Sequence, residues 1–167
     1  GGTAGFEMLG LTPSDLLVQC GSDLGTRQRG VFEDLFDAGH SKVLVIGSDL
    51  PTLPVQYIEE ALLRINHSLV VLGPSQDGGY YLMGLTAPRR HDPVPDLFTD
   101  IRWSTASALE DTIHAAERAH LTVSQVAPWY DIDTVDGLSR LQEDLTTAKH
   151  IQRAPETART LRRITSR

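Results

Sequence analysis

Three short stretches set a carboxylate beside glycine or at a turn: "GSDLP" (residues 47–51), "PSQDGGY" (74–80) and "WYDID" (129–133). Carboxylates brought together from separate strand ends repel one another unless a cation sits among them. Asp49, Asp77, Asp131 and Asp133 are therefore candidates to hold Mg²⁺ or Mn²⁺ against the phosphates of a ligand. Gly78 and Gly79 lack a Cβ and would let the backbone approach that ligand closely. Each stretch also has a purely structural reading. Asp49 could cap the turn before Pro51, Asp-Gly-Gly is a tight-turn sequence, and Asp133 could cap a helix starting at Thr134. Taken singly, the stretches leave both readings open.

The carboxylates meet only if the elements before them end side by side. "KVLVIG" (42–47) is short, continuous and β-branched, which predicts a central strand covered on both faces. "DLLVQC" (15–20), "SLVVLGP" (68–74) and "GYYLMGL" (79–85) read as further buried strands, and "LTVSQV" (121–126) alternates as another. Leu24, Val31, Phe32, Leu35 and Phe36 recur at helical spacing, predicting a helix over 23–38 stopped by Gly39. Val55, Ile58, Leu62 and Ile65 mark a helix entered after Pro54. Ser104 is placed to cap one carrying Leu109, Ile113 and Ala116, and another begins near Thr134. Strands separated by helices predict an α/β fold, a mostly parallel sheet with helices on both sides. Ligands of such sheets sit outside the carboxyl ends of the strands, where all three acidic stretches fall. Phe32 and Val45 are expected to be deeply buried.

Composition narrows the function classes. The 167 residues suit one domain, and 40% hydrophobic content supplies a core. A net charge of −7 argues against non-specific nucleic-acid binding. No apolar run is long enough to span a bilayer and no signal-peptide pattern opens the chain. Cys20, the single cysteine, excludes an intramolecular disulfide; it is expected to be a buried, inert thiol in a reducing, cytoplasmic setting. The six histidines show no metal-ligand spacing, and no Ser-His-Asp or Cys-His arrangement suggests a covalent intermediate.

The order and intervals of "QCGSDLGTRQRGVFEDLFDAG", "VLVIGSDLPTL", "VVLGPSQDGGYYLMGL", "LFTDIRWST" and "DIDTVDGLSRL" resemble the DUF2064 family of bacterial proteins, also called radical-SAM/selenodomain-associated transferases. The resemblance covers roughly residues 15 to 145. It implies the three-layer, Rossmann-like GT-A fold of nucleotide-diphospho-sugar transferases. It also implies roles by position. Asp49 with Ser48 and Pro51 would serve the nucleotide and its cation, with Asp131 or Asp133 as the second acidic contact. Gln19, Asp23, Leu24, Gly25 and Thr26 would line the base pocket. Asp77, Gly78, Gly79 and Tyr80 would form the acceptor wall, Asp77 and Asp49 being the catalytic candidates. Trp103, Ser104 and Thr105 match the family's "WST", placed with the acceptor side but without a defined role.

GT-A nucleotide enzymes open with a β-α-β unit whose glycine- and basic-rich loop grips phosphate. The resemblance implies such a unit ahead of residue 1, so the chain is expected to be an N-terminally truncated, C-terminal three quarters of the family fold. On this division residues 1–149 form the transferase domain and 150–167 a polar, Arg-rich tail, either helical or disordered. A sheet lacking its first unit is expected to leave an edge that associates, as a dimer or larger homo-oligomer.

The expected function is a Mg²⁺- or Mn²⁺-dependent transferase acting on a nucleotide and a small-molecule acceptor. A glycosyltransferase releases nucleoside diphosphate from a nucleotide-sugar. A nucleotidyltransferase, of guanylyl- or cytidylyl-transferase type, releases pyrophosphate. The alternative from another class is a non-catalytic binding or assembly module that has lost the phosphate loop.

Overall fold

The structure, a computed structural model, describes residues 6, 9–89 and 92–165. After a single 3₁₀ turn at Pro13–Asp15, the elements are α1 (Leu24–Asp37), β1 (Lys42–Ile46), α2 (Val55–Arg64), β2 (Val70–Pro74), β3 (Tyr80–Thr86), α3 (Ala108–Arg118), β4 (Val123–Gln125), α4 (Val135–Asp144), α5 (Ala148–Arg153) and α6 (Pro155–Thr165). The four strands form one sheet in the order β1-β3-β2-β4. β1, β2 and β4 run one way, and β3 is inserted in reverse between β1 and β2. Three of the four strands thus point the same way, but two of the three pairings are antiparallel, so the sheet is mixed. Its reversed strand follows from the short loop at residues 75–79, which leaves room only for a hairpin.

Helices cover both faces. Phe32 of α1, with Ala108, Ala115 and Ala116 of α3, packs with Val70, Leu72, Met83 and Leu85. Opposite them, Ala61 and Ile65 from the α2 side meet Val71, Tyr81 and Leu82. α4, α5 and α6 share a small cluster of their own around Leu141, Leu145, Ala154 and Ala158. The Arg-rich stretch after His150 is therefore helical: alanines at 154 and 158 and leucine at 161 give it an apolar stripe.

Tyr81 and Leu82 are neighbours in a strand, yet both face the α2 side, while Tyr80 joins Met83 and Leu85 on the other. The register explains this. Gly73 pairs with Leu82 but Pro74 pairs with Tyr80, so β3 carries one extra residue, a bulge at Tyr81. Gly73 makes room for it: a Cβ there would lie 2.6 Å from the Tyr81 ring. The bulge turns Tyr80 toward α1.

Three expectations need correction. "KVLVIG" is not central: β1 lies at the sheet edge, Val45 is only half-buried and Ile46 is 45% exposed. β3 takes the central place because a tight hairpin delivers it beside β2, and Tyr81–Leu85 are buried throughout. "DLLVQC" is not a strand. It runs beside no described strand, Leu17 and Val18 are 46% and 66% exposed, and Cys20 is an exposed thiol rather than a buried one. On α2 the buried side is set by Ala61 and Ile65 rather than by Val55 and Leu62, which are exposed.

This division sets different costs for two similar truncations. Phe32→Ala, in a fully buried site, should lower unfolding free energy by about 3–5 kcal/mol. Ile46→Ala, at the edge of β1, should cost less than about 1 kcal/mol. Denaturant melts of the two variants check the strand order.

Candidate active site

Three loops leave the same end of the sheet. β1 runs out through Gly47 and Ser48 to Asp49, and β2 through Ser75 and Gln76 to Asp77. The chain after β4 continues alongside β2: Val126 N donates to Leu72 O, Trp129 N to Pro74 O, and Gln76 N to Trp129 O. This extension carries Asp131 to the β2 loop, where Ser75 Oγ donates to its Oδ2 at 3.1 Å.

Asp133 lies within hydrogen-bonding reach of Asp49 and in the field of Asp131 and Asp77. Its carboxyl is pushed above the usual carboxylate range, first by the contact with Asp49, then by burial, then by the neighbouring negative charges. Four acidic residues from three loops thus lie close enough for Asp133 to feel the other three. They do not yet point at one centre: among the described residues, no three His, Cys, Asp or Glu side chains stand ready to hold an ion. An ion would have to draw them inward.

The capping alternatives fail at two of the acids. α4 is capped by Thr134, whose Oγ1 accepts from Gly137 N at 3.1 Å, so Asp133 is not its cap. α2 is entered through Pro54, and no backbone N–H among the described residues bonds the Asp49 carboxylate. Asp77 does serve the turn, since its Oδ1 accepts from Gly79 N at 2.9 Å. Ser104 caps nothing. It sits in the left-handed region at φ 58°, and α3 starts after Ser107.

The proposed base-pocket residues lie at the start of α1. Asp23 is its N-cap, accepting from Thr26 N at 2.8 Å, and Thr26 Oγ1 donates back to Asp23 O. Both side chains are thereby committed to shaping the helix entry. Gln19, Leu24 and Ser48 are exposed, Pro51 is half-buried and Gly25 is buried. Gly25 lies beneath Trp103, and Tyr80 stands edge-on to the same indole with ring centroids 6.2 Å apart.

Several residues with roles here gave no sequence signal. Tyr130 is a buried hub: its hydroxyl meets Thr52 Oγ1 at 3.0 Å and donates to Asp144 Oδ2 at 2.5 Å. Burial, then the bond to Asp144, raises its pKa to about 12, so it remains a neutral donor. The Arg140 guanidinium lies 4.1 Å over the Tyr130 ring and donates to Gln76 Oε1. Tyr130 thus ties the loop after Asp49 to α4. Only Tyr130's place beside the "DID" stretch hints at this in the sequence.

The pattern of residues 6–105 matches the family described as "Uncharacterized protein conserved in bacteria (DUF2064)". The chain belongs to the DUF2064 family. No curated protein matches it. Among solved structures, it is similar to a protein from Desulfovibrio desulfuricans G20 that carries the provisional name nucleotide-diphospho-sugar transferase. The two are 34% identical with a TM-score of 0.78, over 89% of this chain and 62% of the other. The chain thus spans less than two thirds of that relative's length. The GT-A-type fold that the motifs imply is the fold observed. Among the described residues of this DUF2064 member, no helix is long and apolar enough to cross a membrane.

A clamp beside the cleft gives a test by pH. Arg102 donates to both carboxylate oxygens of Asp111 on α3, and these bonds hold the Asp111 carboxyl at about 2. Its folded pKa is depressed, so its stabilisation is complete above the unfolded value near 3.8 and is lost as pH falls through about 2. Asp111→Asn should therefore melt below wild type at pH 7, and the gap should close between about pH 4 and pH 2. Thermal melts across that range check it.

Proposed function

We propose that this chain carries the acidic site of a divalent-cation-dependent transferase, a glycosyltransferase that uses a nucleotide-diphospho-sugar. The observation that supports it most is the convergence of Asp49, Asp77, Asp131 and Asp133 from three strand-end loops, two of them not used as caps. The provisional name of the similar Desulfovibrio protein, nucleotide-diphospho-sugar transferase, points the same way.

The donor set fits Mg²⁺ or Mn²⁺. It is all oxygen, contributed by carboxylates with rotatable side chains, and no sulfur or imidazole accompanies it. Asp49, with Asp131 or Asp133, would hold the ion, which would supply charge neutralisation to the diphosphate. The chain's own residues do the remaining work. Ser75 fixes one oxygen of Asp131, so that carboxylate is oriented before any ligand arrives. The Asp77–Gly79 turn would form the acceptor side, held by the packing of Gly78 on Ala106. Asp77, whose Oδ1 serves the turn, would take a proton from an acceptor hydroxyl through its other oxygen. α1 offers its capped first turn to the nucleotide, with Asp23 and Thr26 shaping that turn and Gln19, Leu24 and Gly25 around it.

The test separates charge from shape. Asn replaces Asp with the same size and capping ability but no charge. In the metal-free protein, Asp49→Asn should be as stable as wild type or more so, because one repelling charge is gone. Its affinity for UDP-glucose or GDP-mannose with Mg²⁺, by calorimetry, should fall tenfold or more, about 1.4 kcal/mol per tenfold. Equal affinities in wild type and variant would refute the metal role. With an acceptor present, release of nucleoside diphosphate supports glycosyl transfer, whereas pyrophosphate release would assign nucleotidyl transfer instead.

A further inference from the structure

The loop at residues 96–107 is built to hold one indole in one place. Asp100 and Ser104, at φ 60° and 58°, both adopt the left-handed conformation that non-glycine residues avoid, and they flank Trp103 on either side. Such backbone persists only where its surroundings over-determine it. Here they do. Arg102 donates to Asp111 through its main-chain N, Nε and Nη2. Thr105 Oγ1 donates to Arg102 O at 2.7 Å, and Phe98 and Ile101 are buried in the α1–α3 core.

The indole held there touches the two walls assigned to different substrates. On one side lies α1: a Cβ on Gly25 would stand 2.9 Å from Trp103 Nε1. The indole also meets Tyr80, which the bulge at Tyr81 turns to this face, edge-on to the indole and donating through its hydroxyl to Gln28 Oε1 of α1 at 3.2 Å. The same loop also abuts the Asp77–Gly79 turn. Gly78, at φ 90°, has no room for a side chain because Ala106 Cα would lie 2.6 Å from its Cβ, and its carbonyl accepts from Leu109 N at 3.0 Å.

We infer that Trp103 is a positioning residue, a wedge that fixes the first turn of α1 relative to the Asp77–Gly79 turn before ligands bind. In the terms of the transferase reading, on which this naming of the walls rests, it sets the distance between nucleotide and acceptor. The three-residue motif then divides its labour: Trp103 is the wedge, Ser104 the strained corner and Thr105 the tie back to Arg102.

Amide hydrogen exchange of the ligand-free protein tests the wedge directly. Trp103→Ala should speed exchange at least tenfold in segments 23–27 and 76–80 together, leaving Val70–Leu72 of β2 protected. Trp103→Phe, which keeps a ring between the walls, should retain most protection at both. Arg102→Gln alters an exposed side chain, keeps the indole itself and removes the two guanidinium bonds that hold its loop to Asp111. It should loosen the same two segments by a smaller factor, and it decides the matter if Trp103→Ala does not fold. Loosening of one segment alone, or equal loosening of β2, would overturn the proposal. With ligand, Trp103→Ala should weaken binding of Mg²⁺ and UDP-glucose or GDP-mannose tenfold while Mn²⁺ binding alone stays within twofold; loss of both in parallel would also count against it. If wild type binds neither, the transferase reading fails, and the exchange data still decide the wedge.

Discussion

One extra residue in β3 constrains much of what surrounds it. A strand of uniform pleat would put Tyr80 on the face of Leu82, against α2. The bulge at Tyr81 puts it on the opposite face, against Gln28 and Trp103, and so joins the Asp77–Gly79 turn to α1. Gly73 permits the bulge by leaving space under the Tyr81 ring, whose hydroxyl donates to Ala127 O on the way to the "WYDID" stretch. Two neighbouring tyrosines thereby reach to opposite faces of the sheet.

The acidic cleft depends on a second constraint, the length of the β2–β4 pairing. β4 itself is three residues, yet the chain beyond it stays hydrogen-bonded to β2 as far as Trp129. That extension sets Trp129 opposite Ser75, leaves Asp131 within reach of the Ser75 hydroxyl and brings Asp133 to Asp49. The cost is electrostatic: the contact with Asp49, burial, and the charges of Asp131, Asp49 and Asp77 push the Asp133 carboxyl toward protonation. Local packing does not remove that cost. A cation would, and this is the physical basis for treating the cluster as a binding site rather than as surface.

Much of this was legible in the sequence, for identifiable reasons. Continuous β-branched runs located β1 and β2, the helical period located α1, and the strand-end positions of Asp49 and Asp77 were readable from the strands that precede them. The family motifs supplied the fold. What the sequence hid was relational. "DLLVQC" has the composition of a strand, but a strand needs a neighbour to bond, and none of the described strands lies beside it. "KVLVIG" reads as central because its side chains are apolar, whereas its place at the edge is decided by the hairpin that seats β3. Tyr130 and Arg140 carry no local pattern, since their partners Thr52, Asp144 and Gln76 are far away in the chain. Trp103 announces itself as a large residue to be packed, and only its two neighbours, Gly25 and Tyr80, reveal what the packing separates.

The central claim is that the carboxylates at the strand ends form a cation site. Anomalous diffraction from crystals soaked in Mn²⁺ measures this without assuming any substrate. The account predicts a single strong peak among Asp49, Asp131 and Asp133, with metal–oxygen distances near about 2.2 Å and lost in Asp49→Asn. A cleft with no peak at saturating Mn²⁺, or a peak bound only by other residues, would contradict it.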